Sequence, residues 1–202
     1  MSETLKWDQR YSEPGYAYGT DPNDFLAASL QYIPRGGSVL CLAEGEGRNS
    51  VFLAKNGFKV TAVDSSSVAM EKTSALAKQH GVYVDTVVAD LSEFTLSPNH
   101  YDAIISIFCH LLPPLRQKVH ALIRESLKDD GVFILEGYTP QQLMHGTGGP
   151  PVKELLINLN DIKKELTDLN VIHGIELERN VLEGKLHTGL GAVVQFIGKK
   201  PR

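Results

Sequence analysis

Residues 39–50 read VLCLAEGEGRNS, an apolar run that ends in two glycines spaced by one residue. The run over residues 38–43 has the continuous apolar character of a strand covered on both faces. Residues 49–55 follow with a helical pattern, and Gly57 is placed to end that helix. The glycines allow a tight turn and let a ligand approach the helix N-terminus without meeting a Cβ atom. Because many strand-to-helix turns use glycine for geometry alone, the turn needs further evidence before it indicates a binding site.

The same alternation of apolar strands and helices recurs along the chain. Further buried strands are predicted at residues 59–64, 83–88, 101–107 and 131–136, with helices at 67–80 and 113–127 between them. A helix at 160–169 precedes two extended strands at 171–180 and 191–199, joined by a long turn. Repeated strand–helix–strand units imply right-handed crossovers. The prediction is an α/β fold with a doubly wound, mostly parallel seven-stranded sheet that ends in an antiparallel hairpin.

The length of 202 residues fits one domain with one core, over residues 1–202. We expect the first 35 residues to form an N-terminal lid containing a helix from Pro22 to Gln31. Residues 138–160 include the run Gly146-Thr147-Gly148-Gly149-Pro150-Pro151 and are expected to form a mobile loop over the site.

The charge balance and the cysteine content exclude several classes of protein. Twenty basic and twenty-four acidic residues give a formal net charge of −4, which argues against a nucleic-acid partner. Cys41 and Cys109 are too few for a disulfide scaffold, and the chain has no signal-peptide pattern, so we expect a cytoplasmic protein. No apolar run approaches the roughly 20 residues that span a bilayer, so no membrane partner is expected.

Two aspartates follow predicted strands. Asp64 ends the second strand, and a carboxylate there can accept hydrogen bonds from both hydroxyls of a ribose lying across the strand ends. The alternative is that Asp64 and the serines after it only cap the next helix. Asp90 and Leu91 follow the third strand, where the carboxylate and a backbone N–H can bind adenine.

These motifs resemble those of the class I S-adenosylmethionine-dependent methyltransferases. Residues 39–47 and 60–64 resemble the first two motifs of the family, and Asp90 with residues 101–106 resembles the third and fourth. Residues 127–133 resemble the turn into the fifth strand. The resemblance covers about residues 35–200 and implies a Rossmann-like fold, methyltransferase activity and S-adenosyl-L-methionine as the cofactor.

The resemblance also implies where the site residues lie. The cofactor-binding set comprises Arg10, Tyr18, Glu44, Gly45, Gly47, Asp64, Ser65, Asp90, Leu91 and Ile107. The acceptor-binding set comprises Tyr16, Phe108 and Tyr138. Two positions depart from the family pattern, because Cys41 stands where an acid is frequent and Ala43 where a glycine is frequent. Glu44 is expected to place a carboxylate near the sulfonium or amino end of the cofactor.

The N-terminal residues narrow the resemblance further. Residues 7–11, 16–19 and 22–26 are similar to the first segment of the small tellurite-resistance and thiopurine-type methyltransferases, which act on small soft nucleophiles or metalloid oxyanions. Its aromatic residues can cover a pocket and attract a sulfonium by cation–π contact, worth about 0.5–2 kcal/mol. Arg10 can hold the cofactor carboxylate. The alternative is that these aromatic side chains only pack the N-terminal helix onto the sheet.

His110 is the candidate catalytic residue. It follows the fourth strand, where residues of the resembled family line the acceptor pocket, and its ordinary pKa suits a general base. Cys109 and His110 are adjacent and are expected to point to opposite faces, so no metal site is predicted.

The predicted function is methyl transfer to a small-molecule acceptor, such as a thiol or a selenium or tellurium oxyanion. A non-catalytic S-adenosylmethionine-binding module would keep the same cofactor residues. An NAD-dependent oxidoreductase is disfavoured because its glycine fingerprint needs glycine or alanine where this chain has Ser50.

Overall fold

The computed structural model describes residues 3–202. Its helices are α1 (Glu3–Tyr11), α2 (Asp24–Ala28), α3 (Arg48–Lys55), α4 (Ser67–Gln79), α5 (Pro113–Ser126) and α6 (Leu159–Glu165). Its strands are β1 (Ser38–Leu42), β2 (Lys59–Asp64), β3 (Asp85–Val88), β4 (Tyr101–Ile107), β5 (Leu127–Tyr138), β6 (Asn170–Glu183) and β7 (His187–Lys199). Short 3₁₀ turns lie at Leu30–Tyr32, Pro140–Met144 and Lys153–Leu155.

The strands form one sheet in the order β3-β2-β1-β4-β5-β7-β6. The pairs β1–β2, β1–β4, β2–β3 and β4–β5 are parallel, whereas β7 runs antiparallel to both β5 and β6. This arrangement confirms the predicted doubly wound sheet with an antiparallel end. The order of the strands changes direction between β1 and β4, which is where an open α/β sheet leaves a crevice for a ligand.

Helices cover both faces of the sheet, as its apolar strands require. One buried cluster joins β1 and β2 to α3 and α4, and it includes Tyr11 from α1. The other joins the opposite faces of β1, β4 and β5 to α5 and α6. Among the described residues, no helix has the length and apolar content needed to cross a membrane.

Several element boundaries differ from the prediction. Strand β5 begins at Leu127 instead of residue 131. Helix α5 passes directly into Leu127, which is fully buried, and the polar residues after Leu127 hid the start of the strand in the sequence. Strands β6 and β7 are longer than predicted and are separated only by residues 184–186, because alternating polar residues on the edge strand concealed its length. Helix α6 begins earlier, since the side chain of Asn158 accepts the N–H of Asp161 and caps it.

The N-terminal segment contains more helix than predicted. Helix α1 was not predicted, and the predicted helix at residues 22–31 is divided into α2 and a 3₁₀ turn. Asn23 caps α2 by accepting the N–H of Leu26 at 3.0 Å. The segment therefore contains two α-helices, α1 and α2, followed by a 3₁₀ turn.

Candidate functional site

The turn between β1 and α3 contains residues with positive φ. Ala43 occupies a position where the resembled family often has glycine, and its φ is +45°. Gly47 has φ +95°. A Cβ atom on Gly47 would lie 2.9 Å from the Cα of Thr73 in α4, so only glycine fits there. The turn is therefore fixed by its own backbone and by close packing against α4.

Glu44 binds the first turn of α3 through one of its carboxylate oxygens. Its Oε1 accepts the N–H groups of Asn49 at 3.1 Å and Ser50 at 2.7 Å, both in the first turn of α3. Burial raises the pKa of Glu44, although these N–H groups act to lower it. The carboxylate thus caps α3, and this placement does not support the expectation that it faces the sulfonium end of the cofactor.

Asp64 lies beside the turn, as the sequence predicts. Its two oxygens accept the N–H groups of Gly45 and Ser66, each at 2.9 Å, and its residue is 6% exposed. Burial raises the pKa of Asp64, and the N–H groups of Ser66, Gly45 and Ser65 oppose that shift. A carboxylate offers about four lone-pair positions, and three N–H groups already face Asp64, so it keeps acceptor capacity for about one ligand hydroxyl.

The tips of β2 and β3 are adjacent. The N–H of Ala89 donates to the carbonyl of Asp64 at 2.9 Å, which places Asp90 and Leu91 next to Asp64. Asp90 is exposed, and the N–H of Ser92 donates to it at 2.8 Å and lowers its pKa. Ile107 ends β4 and is buried. Asp64, Asp90 and Leu91 thus lie at the adjacent tips of β2 and β3, and Ile107 lies at the carboxyl end of β4, on the other side of β1.

Helix α1 covers the corner between Gly45 and Asp64. Tyr11 is 5% exposed, and its hydroxyl would lie 2.9 Å from a Cβ atom on Gly45. Asp8 accepts the hydroxyl of Ser66 at 2.5 Å, and Trp7 stacks on Tyr11 with ring centroids 5.6 Å apart. Helix α1 therefore packs into the core and also covers the strand tips. A covering role and a packing role, which the sequence left as alternatives, are compatible in this arrangement.

Arg10 and Tyr18 lie together on the outer side of this cover. The Arg10 guanidinium donates to the Tyr18 hydroxyl at 2.9 Å and lies 4.8 Å from the centroid of the Trp7 ring. Arg10 is exposed, while Tyr18 is partly buried. Both predicted cofactor residues are therefore near the strand tips and already contact each other.

Glu46 and Lys72 anchor the segment that follows α1, and sequence reasoning missed both. Glu46 is 4% exposed and accepts the N–H of Ala17 at 2.6 Å and the Lys72 ammonium at 2.8 Å. Lys72 also donates to the carbonyl of Gly15 at 2.7 Å and lies 5.7 Å from the Tyr16 ring centroid. This contact places Tyr16 against α4, which does not support its predicted role in acceptor binding.

A group of aromatic rings lies beyond the tips of β4 and β5. We call Phe108, His110, Tyr138 and His187 the ring cluster. Phe108 contacts Tyr138 at 4.6 Å and His187 at 4.8 Å between ring centroids, and His110 stacks on Tyr138 at 5.7 Å and 9°. Tyr18 adds a contact of 4.6 Å to His187. The predicted residues Phe108, His110 and Tyr138 are thus brought together, and His187 was missed.

Phe108 adopts a conformation that bulky residues rarely take. Its φ is +52°, and its N–H donates to the carbonyl of Glu136 at 2.7 Å. A bulky residue in the left-handed region stores backbone strain that the surrounding structure must hold. The strain directs the chain after β4 toward the ring cluster.

His110 is neutral, which corrects the expectation of a pKa near working pH. Burial lowers the pKa of His110 to about 4, although the Leu155 carbonyl acts in the opposite direction. The Nδ1 atom lies 3.0 Å from that carbonyl oxygen. Because a carbonyl can only accept, Nδ1 carries the hydrogen and Nε2 presents a lone pair. His110 can therefore accept a hydrogen bond but is a weak base.

A buried ionic network adjoins the ring cluster, and sequence reasoning missed it. Glu136 is fully buried in β5 and Glu183 is 6% exposed in β6. Asn23 donates to Glu136 at 2.9 Å and to Glu183 at 2.8 Å, and Arg48 donates to Glu183 at 2.7 Å. Arg179 forms a hydrogen-bonded ion pair with Glu136. The network ties the N-terminal segment to the C-terminal hairpin.

The network predicts a pH dependence of stability. Burial alone would raise the pKa of Glu183, but His187, Arg48 and Asn23 together lower it to about 2. A depressed pKa contributes stability above the unfolded value near 4.3, and this contribution is lost as pH falls toward 2. We expect urea titrations at pH 5 and pH 2.5 to show that Glu183→Gln removes roughly 2 kcal/mol of the acid-dependent loss in unfolding free energy. An unchanged pH slope in Glu183→Gln, matching that of the exposed Glu93→Gln control, would contradict this account.

Cys109 is not activated in this site. Burial raises the pKa of its thiol to about 12, despite a hydrogen bond with Ser106. Within residues 3–202, the structure contains no group of three or more His, Cys, Asp or Glu residues placed to hold a metal ion.

Comparisons with known proteins agree with this architecture. Residues 39–131 match the model of a family described as a methyltransferase domain. A curated relative, the ribosomal protein L11 methyltransferase of Dictyoglomus turgidum (strain DSM 6724 / Z-1310), is 28% identical over 136 residues, which cover 65% of this chain and 44% of the relative. The chain thus spans less than half the length of that protein.

Two solved structures have the same fold. TehB from Haemophilus influenzae matches with a TM-score of 0.74 and 16% identity, covering 98% of this chain and 66% of that one. The [4+2]-cyclase SpnF matches with a TM-score of 0.72 and 13% identity, covering 98% and 92%. At such low sequence identity these matches show a shared fold alone, so the reaction has to be argued from the residues of the site.

Proposed function

We propose that this chain, which resembles the class I S-adenosylmethionine-dependent methyltransferases and has a methyltransferase domain at residues 39–131, transfers a methyl group to a small, soft nucleophile. The family match supports S-adenosyl-L-methionine as the cofactor. The observation that carries the proposal is the position of Asp64 beside the Gly45 turn, with Asp90 on the neighbouring strand tip. A carboxylate at the tip of β2 suits the ribose hydroxyls, and Asp90 on the adjacent tip is available to the adenine.

The residues at the strand tips fit this cofactor. Asp64 would hold a ribose hydroxyl, while Asp90 and Leu91 would hold the adenine. The methionine part would pass the turn that contains Gly45 and Gly47. When bound, S-adenosyl-L-methionine supplies an electrophilic methyl group on a sulfonium.

The N-terminal segment would close over the cofactor. Tyr11 and Tyr18 present aromatic rings on this side of the turn, and such rings attract a cation by about 0.5–2 kcal/mol. Arg10, which now donates to Tyr18, would exchange that partner for the cofactor carboxylate. The cover would align the reactants and exclude water, and alignment can contribute about 7–11 kcal/mol to methyl transfer.

A small acceptor suits the covered site. Helix α1, the segment held by Glu46 and the loop after β5 enclose the region beyond the strand tips. His110 is too weak a base to activate a hard nucleophile, so a thiol or a reduced selenium or tellurium species is the better acceptor. With a net charge of −4, the chain is not suited to nucleic acid, and we propose neither a nucleic-acid nor a membrane partner.

A non-catalytic cofactor-binding module is the second candidate. The same cofactor residues would serve such a module, and the fold match to the [4+2]-cyclase SpnF is a reminder that a shared fold does not fix the reaction. A nicotinamide-dependent oxidoreductase fits less well. The glycine fingerprint for that cofactor needs glycine or alanine at position 50. Ser50 stands there instead, and it is fully buried with its N–H donated to Glu44.

Calorimetric titration tests the proposal. We expect micromolar dissociation constants for S-adenosylmethionine and S-adenosylhomocysteine, and no binding of NADH. Transfer of a labelled methyl group to a thiol, selenite or tellurite would then separate an enzyme from a binding module. Binding of NADH alone would overturn the proposal, whereas cofactor binding without any transfer would favour the second candidate.

A further inference from the structure

Glu46 and Lys72 form an ion pair that holds the segment after α1. The Glu46 side chain is 3% exposed and the Lys72 side chain 23%, and their charged atoms lie 2.8 Å apart. The other two hydrogens of the Lys72 ammonium are donated to the carbonyls of Gly15 at 2.7 Å and Glu13 at 3.0 Å. The second oxygen of Glu46 accepts the N–H of Ala17 at 2.6 Å. The pair therefore fixes three backbone groups of this segment.

The same pair is tied to the glycine turn. Glu46 lies between Gly45 and Gly47, so its backbone is part of the turn that follows β1. Thr73 is next to Lys72 in α4, and its hydroxyl donates to the carbonyl of Gly45 at 3.0 Å. Two successive residues of α4 thus hold the turn and the segment after α1 at a fixed separation.

The segment held in this way carries Tyr18, which meets Arg10 from α1. These are the two residues that we expect at the methionine end of the cofactor, and they are joined by a hydrogen bond of 2.9 Å. Burial raises the pKa of Tyr18, and the Glu46 charge adds to that shift while Arg10 opposes it. The Glu46 carboxylate therefore lies close enough to Tyr18 to act on it directly.

Stability alone gives little reason for a charged pair at this position. Replacing a buried ion pair by apolar side chains of similar size is often neutral or stabilising, because both charges lose their hydration on burial. An apolar pair, however, could not bind the backbone groups of Glu13, Gly15 and Ala17. What Glu46 and Lys72 supply is a defined position of the segment.

We propose that Glu46 and Lys72 are positioning residues for the cofactor, which hold the segment after α1 in place so that Arg10 and Tyr18 already lie where the methionine end binds. This inference rests on the proposed function. A segment that is ordered before the ligand arrives loses less conformational entropy on binding. The affinity for the methionine end, and not for the nucleoside, should therefore depend on the pair.

The first test compares two ligands of one variant. S-adenosylhomocysteine carries the amino and carboxyl groups, whereas 5′-methylthioadenosine keeps the nucleoside and the sulfur but lacks both groups. We expect Glu46→Gln to bind S-adenosylhomocysteine about fivefold more weakly and 5′-methylthioadenosine within about twofold of the unchanged protein, because glutamine does not balance the Lys72 charge. Calorimetry measures the first affinity, and displacement of S-adenosylhomocysteine measures the second.

Asp102→Asn is the matched control. Asp102 accepts the N–H of Ser38 at 2.8 Å and the Lys128 ammonium at 2.8 Å, so like Glu46 it binds one backbone N–H and one lysine. It lies at the start of β4, at the end of the sheet opposite the strand tips. Both ligands should bind Asp102→Asn as they bind the unchanged protein. Weakened binding of both ligands to Glu46→Gln, or of neither, would overturn the inference.

A variant of Lys72 keeps the inference testable if Glu46→Gln does not fold. Lys72→Met keeps an apolar stem but removes the charge and all three donors. It should show the same loss of about fivefold for S-adenosylhomocysteine and almost none for 5′-methylthioadenosine. A Lys72→Met protein with the full affinity for S-adenosylhomocysteine would refute the positioning role.

Trp7 gives a spectroscopic readout that does not depend on turnover. It is the only tryptophan of the chain, and in α1 it stacks on Tyr11 and lies under the Arg10 guanidinium. We expect acrylamide to quench its fluorescence more strongly in ligand-free Glu46→Gln than in the unchanged protein, and saturating S-adenosylhomocysteine to reverse the difference. Equal quenching of the two ligand-free proteins would contradict the inference, as would a difference that the ligand does not reverse.

These outcomes separate the positioning role from the proposed function. If the unchanged protein binds neither S-adenosylmethionine nor S-adenosylhomocysteine, the proposed function itself is wrong. If it binds both and Glu46→Gln shows no preference between the two test ligands, only the positioning role is wrong. A loss confined to S-adenosylhomocysteine would support both.

Discussion

Asp64→Ala is expected to bind S-adenosylmethionine at least tenfold more weakly than the unchanged protein. The carboxylate would accept a ribose hydroxyl, and a hydrogen bond to a charged group is worth about 1.5–3 kcal/mol. Its loss corresponds to about one to two orders of magnitude in dissociation constant. Isothermal titration with S-adenosylhomocysteine measures this directly, since no acceptor or turnover is needed.

Asp64 also orders the protein, so the test needs a second variant. It accepts the N–H groups of Gly45 and Ser66, and its removal could loosen the turn as well as the ribose contact. Asp64→Asn keeps an acceptor oxygen and should bind with an intermediate affinity. The exposed Asp129→Ala is the control. An Asp64→Ala protein with native circular dichroism and unchanged affinity would remove Asp64 from the cofactor site.

The strand tips could be predicted from the sequence because their signals are local. Each buried strand is an unbroken apolar run, and Gly45, Asp64 and Asp90 directly follow such runs. The rule that parallel crossovers are right-handed then brings the carboxyl ends of these strands to one edge. The apolar runs and the handedness of the crossovers were therefore enough to predict the strand-tip part of the candidate site.

The ring cluster and the buried ionic network could be predicted only in part, because their contacts join distant segments. Asn23 reaches Glu136 across 113 residues and Glu183 across 160. Glu183 and His187 lie on the edge hairpin, where alternating polar residues resemble an ordinary solvated face. Glu136 carried a usable signal, since a charged residue inside an apolar strand must find a partner.

Side-chain roles were harder to predict than positions. Glu44 was expected to face the cofactor, yet it caps α3, because the free N–H groups of a helix N-terminus compete for any nearby carboxylate. His110 was expected to titrate near neutral pH, yet burial keeps it neutral. Both outcomes depend on burial and on partners that only the folded chain defines.

Glu136→Gln is expected to destabilise the protein by about 3–5 kcal/mol, the largest effect on stability that we predict. Glu136 has no exposed surface and accepts hydrogen bonds from Asn23, Arg179 and Gln195. The glutamine is nearly isosteric, but it leaves the Arg179 guanidinium without its main counter-charge, and breaking a buried pair costs about this much. Chemical denaturation at pH 7 measures the loss, and Glu125→Gln, exposed on α5, is the control.

A double variant separates the charge effect from general damage to the core. Arg179→Met in the Glu136→Gln background removes the uncompensated charge, so part of the lost unfolding free energy should return. Because Asn23 binds Glu136 and also caps α2, the single variant should speed hydrogen exchange at Leu26 before the sheet is affected. A loss below about 0.5 kcal/mol, or a double variant less stable than the single one, would show that the network does not hold the N-terminal segment through charge pairing.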